Sequence, residues 1–280
     1  MHNLIQILVL AFIQGMAELL PVSSSAHVIV AEKLMGLDPS SPEMTFLLVM
    51  LHTGTMFAVL VFFWKRWQAR IQAGGLRPLL KDLIVATALT GVVGLVLKKI
   101  IEVAFLGGGD KAEIEQMFGN LGLVGGALLV AGLLIIFAGN RPKSSSVPLD
   151  TKNAGLIGMI QGLCLPFRGF SRSGATISVA LLRGIPRELA EDFSFALAVI
   201  LTPPVILREL FRLKKAHELS ESFSAASIGP GLIGMVFSFG AGLLALKWLS
   251  SWIESGRWAW FGYYCIAASV FVFTLWSHGF

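Results

Sequence analysis

Two short stretches of this 280-residue sequence carry side chains suited to phosphate. The first, QGMAELLPVSSSAH, offers Gln14, Glu18, Ser23, Ser24, Ser25 and His27. The second, RGFSRSGAT, offers Arg168, Ser171, Arg172, Ser173 and Thr176. Serine hydroxyls and the free N–H groups of a helix start bind oxyanions. An arginine grips phosphate oxygens with a two-pronged donor and stays charged in an apolar site. A glutamate holds a divalent cation or acts as a base. A histidine transfers protons or attacks phosphorus. Together these groups describe phosphoryl transfer. No Walker-type phosphate loop accompanies them, which argues against a nucleotide-driven reaction.

Each group also has a plainer reading. A Ser-rich turn ahead of a helix is commonly a cap. Glu18 alone fits an interfacial ion pair, and His27 alone fits a hydrogen-bonded helix residue. Arg168 and Arg172 fit snorkelling to a surface. The combination is harder to dismiss, because two matching polar breaks both bring anion-binding chemistry. Gln14 and Glu18 are four apart and share a helical face. If a helix starts near Ser23, His27 returns over the face of Ser23 one turn later. His52 and Thr53 sit where the second half has Thr202-Pro203-Pro204. Those prolines are expected to kink or break their helix, and His52 is a weaker candidate for facing the site. His2, His217 and His278 read as solvated.

What must position these groups is set by composition. Hydrophobic residues make up 55% of the chain and charged ones 14%; mean hydropathy is +0.76. A soluble domain carries about 25% charged residues. So little polar surface points to a bilayer as solvent. Thirty glycines suit close helix approach. The net charge of +5 lies in short loops between apolar runs, which is a membrane-orientation pattern and not a nucleic-acid surface. Cys164 and Cys265 lie far apart in apolar segments and read as small buried hydrophobes. The apolar start lacks a basic leader and carries Glu18, so no cleaved signal is expected.

Six runs, roughly 43–63, 82–101, 118–138, 190–210, 228–249 and 258–277, are long enough to span, since about 20 helical residues cross the hydrocarbon. Two more, 4–20 and 154–165, end in the Ser-rich turns and are followed by short apolar segments. That is the pattern of a re-entrant hairpin, whose irregular backbone is tolerated only around a cavity or inside protein. Ile13-Gln14-Gly15 returns as Ile160-Gln161-Gly162, and Phe46 and Thr53 return as Phe195 and Thr202. The expected fold is therefore an all-α integral membrane protein of one domain, 1–280. It has six transmembrane helices plus two re-entrant helical hairpins in an inverted-topology repeat, 1–138 and 153–280. Loop 64–81 holds five basic residues and no acid, and loop 139–152 is also basic. Both are expected in the cytoplasm, with the termini outside. Loop 211–226, with Arg212, Lys214 and Lys215, resists that scheme.

At these residues the sequence resembles the undecaprenyl-diphosphate phosphatase family of the bacitracin-resistance type, over essentially the whole chain. The resemblance rests on the Gln14–His27 stretch, with its PVSS turn, and on the SRSxxT of Arg168–Thr176. It implies a hydrolase of the bacterial inner membrane that cuts undecaprenyl diphosphate to the monophosphate and so recycles the lipid carrier of peptidoglycan synthesis. It implies a site facing the periplasm and a divalent cation, Mg2+ or Ca2+. Carried over by motif are Glu18, Ser23, Ser24, His27, Ser171, Arg172, Ser173 and Thr176. Two positions depart from the pattern: Gln14 replaces an acid, and Arg168 replaces a proline. The expected roles are catalysis for Glu18, His27, Ser24 and Arg172. Substrate binding falls to Ser23, Ser171, Ser173, Thr176 and Arg168, and the metal to Glu18 with Gln14. The nucleophile stays open between Ser24, His27 and an activated water. The partners are a polyprenyl diphosphate lipid and the membrane; the oligomeric state, a homodimer included, is not fixed. A lipid-phosphate transporter or flippase is the rival, and a membrane scaffold a third reading.

Overall fold

The structure, a computed structural model, describes residues 3–38, 41–105, 117, 119–141, 147–219 and 228–280. Ten α-helices run through them: α1 Leu4–Leu19, α2 Ser24–Leu34, α3 Pro42–Arg70, α4 Leu76–Phe105, α5 Leu121–Gly139, α6 Thr151–Cys164, α7 Arg172–Leu182, α8 Arg187–Leu219, α9 Ile228–Glu254 and α10 Trp258–Ser277. No strand occurs among the described residues. Polar residues start the helices. Asn3 and Gln6 form a reciprocal capping box on α1, and Ser41 accepts from the Met44 N–H ahead of Pro42. Ser23, Asn120, Asp150 and Ser171 cap α2, α5, α6 and α7 in the same way. Each cap satisfies an amide that the first helical turn leaves without a partner.

Five stretches are long and apolar enough to cross a membrane: Pro42–Ala104, Leu121–Gly139, Arg187–Leu207, Ile228–Glu254 and Trp258–Ser277. Their outward faces are apolar; Leu95, Ile84 and Val236 are each more than 60% exposed. Surface of that kind on several long helices calls for lipid. The chain is a multi-pass helical membrane protein. The first stretch contains α3, a single π-helical turn Ile71–Gly75, and α4. Gly74, at φ 81°, sits in that turn.

Two sequence expectations change here. The basic segment 64–81 is mostly helical and keeps only a short turn at Ile71–Gly75, because its Lys, Arg, Gln and Leu residues are good helix formers and extend α3 and α4 toward Gly74. The Pro203-Pro204 pair does not break its helix, and α8 continues through it to Leu219. Each proline removes one backbone bond, and packing of α8 against α3 and α7 holds the helix together. Residues 211–219 of the expected loop 211–226 continue α8. Residues 106–116, 142–146 and 220–226 of the expected loops 102–117, 139–152 and 211–226 lie outside the described residues.

Packing crosses between the two halves of the chain. Helix α1 lies along α9, α6 lies along α4, and α5 lies along α10. The repeated Ile-Gln-Gly explains the first two. A Cβ on Gly15 would meet the Ser238 carbonyl and Ala241 of α9. A Cβ on Gly162 would meet the Thr90 carbonyl and Val93 of α4. Each glycine lets two backbones touch. One hydrophobic cluster, including Leu19, Phe63, Ile135, Phe195, Leu246 and Trp258, draws on both halves. At the far end of α3, Arg66 donates to Glu191 at 3.0 Å and Arg70 pairs with Asp192 at 3.2 Å. Ser250 of α9 donates to the other oxygen of Glu191. This buried network ties α3, α8 and α9 together.

Candidate active site

The two Ser-rich turns meet. The first joins α1 to α2 through Leu20–Ser23, and the second joins α6 to α7 through Leu165–Ser171. Ser23 adopts φ 68°, the one positive φ of a non-glycine residue among those described. Ser25 binds the turns together: its hydroxyl lies 3.2 Å from that of Ser23 and accepts from the Gly169 N–H at 3.3 Å. Gly169 has φ 103°, and a Cβ there would strike the Val124 carbonyl of α5, so glycine is required twice over. The hydroxyl of Ser173 donates to the Leu20 carbonyl at 3.4 Å. The starts of α2 and α7 therefore open on one cavity of about 230 Å³.

Glu18, at the end of α1, is the centre of the hydrogen bonding. Its Oε2 accepts from Ser24 Oγ at 2.5 Å and from Gln14 Nε2 at 3.2 Å. Its Oε1 accepts from Arg172 Nη2 at 3.2 Å, across 154 positions of sequence. His52 of α3 brings Nε2 to 3.9 Å from Oε2, with Nδ1 held by the Leu48 carbonyl. Arg172 keeps Nη1 buried with no protein partner. An unpaired buried guanidinium N–H is costly, and a phosphate oxygen in the cavity would satisfy it.

The cavity also receives Ser23, Ser24, Ser25, Ser171, Ser173 and Arg168. Arg168 lies near enough to buried Glu32 of α2 to act on its charge. The opposite wall is apolar, with Leu165, Phe167, Leu201 and Val205. Three sequence candidates stand elsewhere. Gln14 lies behind Glu18 and does not line the cavity. Thr176 is fully buried, donates to the Arg172 carbonyl at 2.9 Å, and pairs with Ser194 of α8 at 2.6 Å. His27 turns away: Nδ1 is 2.8 Å from the Ser23 carbonyl and Nε2 is 2.7 Å from the Tyr264 hydroxyl. It lines a separate apolar groove. Ser24 therefore has Glu18, not His27, as its partner. Sequence reasoning missed Tyr264; the one available signal was that only two tyrosines occur in the chain, adjacent in the last span.

Among the described residues no three His, Cys, Asp or Glu side chains gather into a metal cage. The Glu18 carboxylate and the serine hydroxyls of the cavity suit a hard, oxygen-bound cation that keeps waters and is shared with phosphates.

A multi-pass helical membrane protein in which two Ser-capped helices start at one polar cavity is the class that fold and geometry define. Comparison with known proteins gives the particular family. The family described as bacitracin resistance protein BacA matches residues 7–271, and the chain belongs to it. It is 53% identical to undecaprenyl-diphosphatase 2 of Acinetobacter baylyi over 98% of both chains. It is 33% identical to the undecaprenyl-diphosphatase of Rhodopirellula baltica, over 98% of this chain and 99% of that one. It is also 33% identical to the undecaprenyl-diphosphatase of Korarchaeum cryptofilum, over 96% and 98%.

Proposed function

We infer that this chain hydrolyses undecaprenyl diphosphate to undecaprenyl phosphate and inorganic phosphate, the activity for which its relatives are named. In a bacterial membrane that reaction returns the lipid carrier to peptidoglycan synthesis and opposes bacitracin. The observation that carries the reading at the site is the Glu18–Arg172 pair, which joins the end of α1 to the start of α7 over one cavity.

In this reading the diphosphate lies between the starts of α2 and α7, where free N–H groups and helix dipoles favour anions. Arg172 Nη1 and the Ser171–Ser173 turn hold the phosphates, with Arg168 as a further cation. The polyprenyl tail leaves past the apolar wall. Ser24 Oγ is the nucleophile and Glu18 its base. The hydroxyl proton passes to the carboxylate as Oγ bonds to the terminal phosphorus, and the anhydride P–O bond breaks. Water then hydrolyses the phosphoserine, releasing phosphate and returning the proton to Ser24. Serine is a weak nucleophile without such a partner, and the 2.5 Å contact supplies one. Glu18, with the Gln14 amide behind it, would hold a Mg2+ or Ca2+ ion; when bound, the ion neutralises phosphate charge.

The membrane arrangement fits the same reading. Helices α1, α2, α6 and α7 have 16, 11, 14 and 11 residues. At about 1.5 Å per residue all fall short of about 30 Å of hydrocarbon, which supports two re-entrant hairpins. The Gly74 turn divides the 63-residue stretch into two helices that each suffice to cross, which supports six spans. The exchanged contacts α1–α9 and α6–α4 support an inverted repeat. The basic residues around the Gly74 turn support a site open toward the periplasm of the inner membrane.

The test is phosphate release from undecaprenyl diphosphate by purified protein in detergent, with Mg2+ or with chelator. Wild type should release phosphate, and Glu18→Gln should lose at least about 100-fold. A transporter would release none. Rapid acid quenching should trap phosphoserine at Ser24; full activity in Ser24→Ala would leave direct attack by water.

A further inference from the structure

The strained Ser23 turn needs something to hold it. An L-residue at positive φ is strained and persists only where its surroundings over-determine it. The Ser23 side chain makes two contacts, to Ser25 Oγ at 3.2 Å and to the Ala26 N–H at 3.4 Å, both within its own turn. The peptide itself is held by His27, whose Nδ1 lies 2.8 Å from the Ser23 carbonyl.

The protons on that ring follow from the partners. A carbonyl only accepts, so Nδ1 carries the hydrogen. In the neutral ring Nε2 is then an acceptor, and its partner at 2.7 Å is the Tyr264 hydroxyl, which donates. The two rings also stack, 5.6 Å apart and 11° from parallel. Both nitrogens are engaged away from Glu18 and Ser24, and the ring lines the groove on the other side of α2. The next residue of α10 reaches the same turn independently, with Cys265 Sγ donating to the Pro21 carbonyl at 3.4 Å. Helix α10 is itself fixed to α5, where Ser269 donates to the Gly125 carbonyl at 2.7 Å.

We propose that Tyr264 is a positioning residue for hydrolysis. Through His27 it holds the left-handed Ser23 turn and so sets Ser24 against Glu18. The proposal rests on the phosphatase reading. It gives His27 a role in geometry and none in carrying protons or phosphate.

The experiment measures kcat and KM for undecaprenyl diphosphate in purified wild type, Tyr264→Phe, His27→Gln, His27→Ala and the Tyr264→Phe/His27→Ala double variant. Tyr263→Phe is the control, and size-exclusion profiles confirm folded protein. Tyr264→Phe keeps the stacked ring and loses one neutral hydrogen bond. Its kcat should fall by about 3- to 10-fold, with KM within about two-fold of wild type. Glutamine can still donate to the Ser23 carbonyl but serves poorly as a base or nucleophile. His27→Gln should therefore keep about a tenth or more of wild-type kcat, well above His27→Ala. The double variant should match His27→Ala, because the tyrosine acts through the ring. Wild-type kcat in Tyr264→Phe would overturn the proposal. So would His27→Gln as inactive as His27→Ala, which would make the imidazole itself part of the chemistry. A double variant clearly slower than His27→Ala would show that Tyr264 acts elsewhere. A wild type that released no phosphate would remove the hydrolase reading and this proposal with it.

Discussion

Arg172 is the side chain whose role depends most on its shape. One Nη grips Glu18 and the other is buried with nothing to donate to. A lysine carries the same charge but a single donor centre, so it cannot hold the glutamate and a phosphate oxygen in one plane. Arg172→Lys should lower kcat/KM by about 100-fold while the protein stays folded, measured as phosphate release beside thermal unfolding. Activity within a few-fold of wild type would show that charge alone suffices there. Most of these residues were legible in the sequence, because Glu18, Ser24 and Arg172 stand in polar breaks of otherwise apolar runs. What they touch was less so. Helical spacing placed His27 over Ser23 correctly, yet spacing says nothing of which way the ring leans. The pull of Tyr264, 237 positions away, decides that. His52 was a weak candidate for the same reason: its approach to Glu18 depends on how α3 packs against α1.

At the level of helices, two kinds of contact hold the cavity open. Backbone-to-backbone crossings come from small residues. A side chain at Gly15 would have to displace α9, and overpacking of this kind costs about 1–3 kcal/mol. Gly15→Val should lower the melting temperature by several degrees and disturb Glu18, three residues on. Gly126→Ala, where a Cβ meets nothing within 4 Å, should do neither. Equal melting temperatures for the two would show that the α1–α9 crossing bears no strain. The second kind is ionic. Glu191 is 2% exposed and receives Arg66 and Ser250. Removing one partner of such a buried pair costs about 3–5 kcal/mol. His52 and Arg66 are 14 positions apart on α3, about 21 Å along a helix, so the pair is remote from the chemistry. Arg66→Ala should sharply reduce the folded yield but leave kcat per folded molecule near wild type. Hydropathy reveals the helices but not this network: the same five basic residues look like a cytoplasmic loop until α8 brings its carboxylates to two of them.

Across the whole molecule, the two turns share one design. The first is braced by α10, through Tyr264 and Cys265, and the second by α5, whose Val124 carbonyl sits against Gly169. Helices α5 and α10 in turn pack along each other. The repeated Ile-Gln-Gly packs α1 on α9 and α6 on α4. Exchange of partners between the halves is what a pseudo-two-fold axis in the membrane plane would produce, with the site where the axis passes. If so, the hairpins enter from opposite faces and their Ser-rich turns meet near mid-membrane. Six spans then put both termini on one side and the Gly74 turn on the other. The proposed orientation puts that turn in the cytoplasm on its basic residues, but Arg66 and Arg70 are already paired with acids there, so Lys65, Arg77 and Lys81 must carry the bias. Single cysteines settle this in a background lacking Cys164 and Cys265. Ser277→Cys, one turn from the chain end, should react with an impermeant maleimide in intact spheroplasts. Gln72→Cys, within the turn, should react only after lysis. Labelling in the reverse order would invert the protein and turn the hairpin assignments with it. Labelling of both before lysis would rule out an odd number of crossings between them and, with it, the inverted repeat.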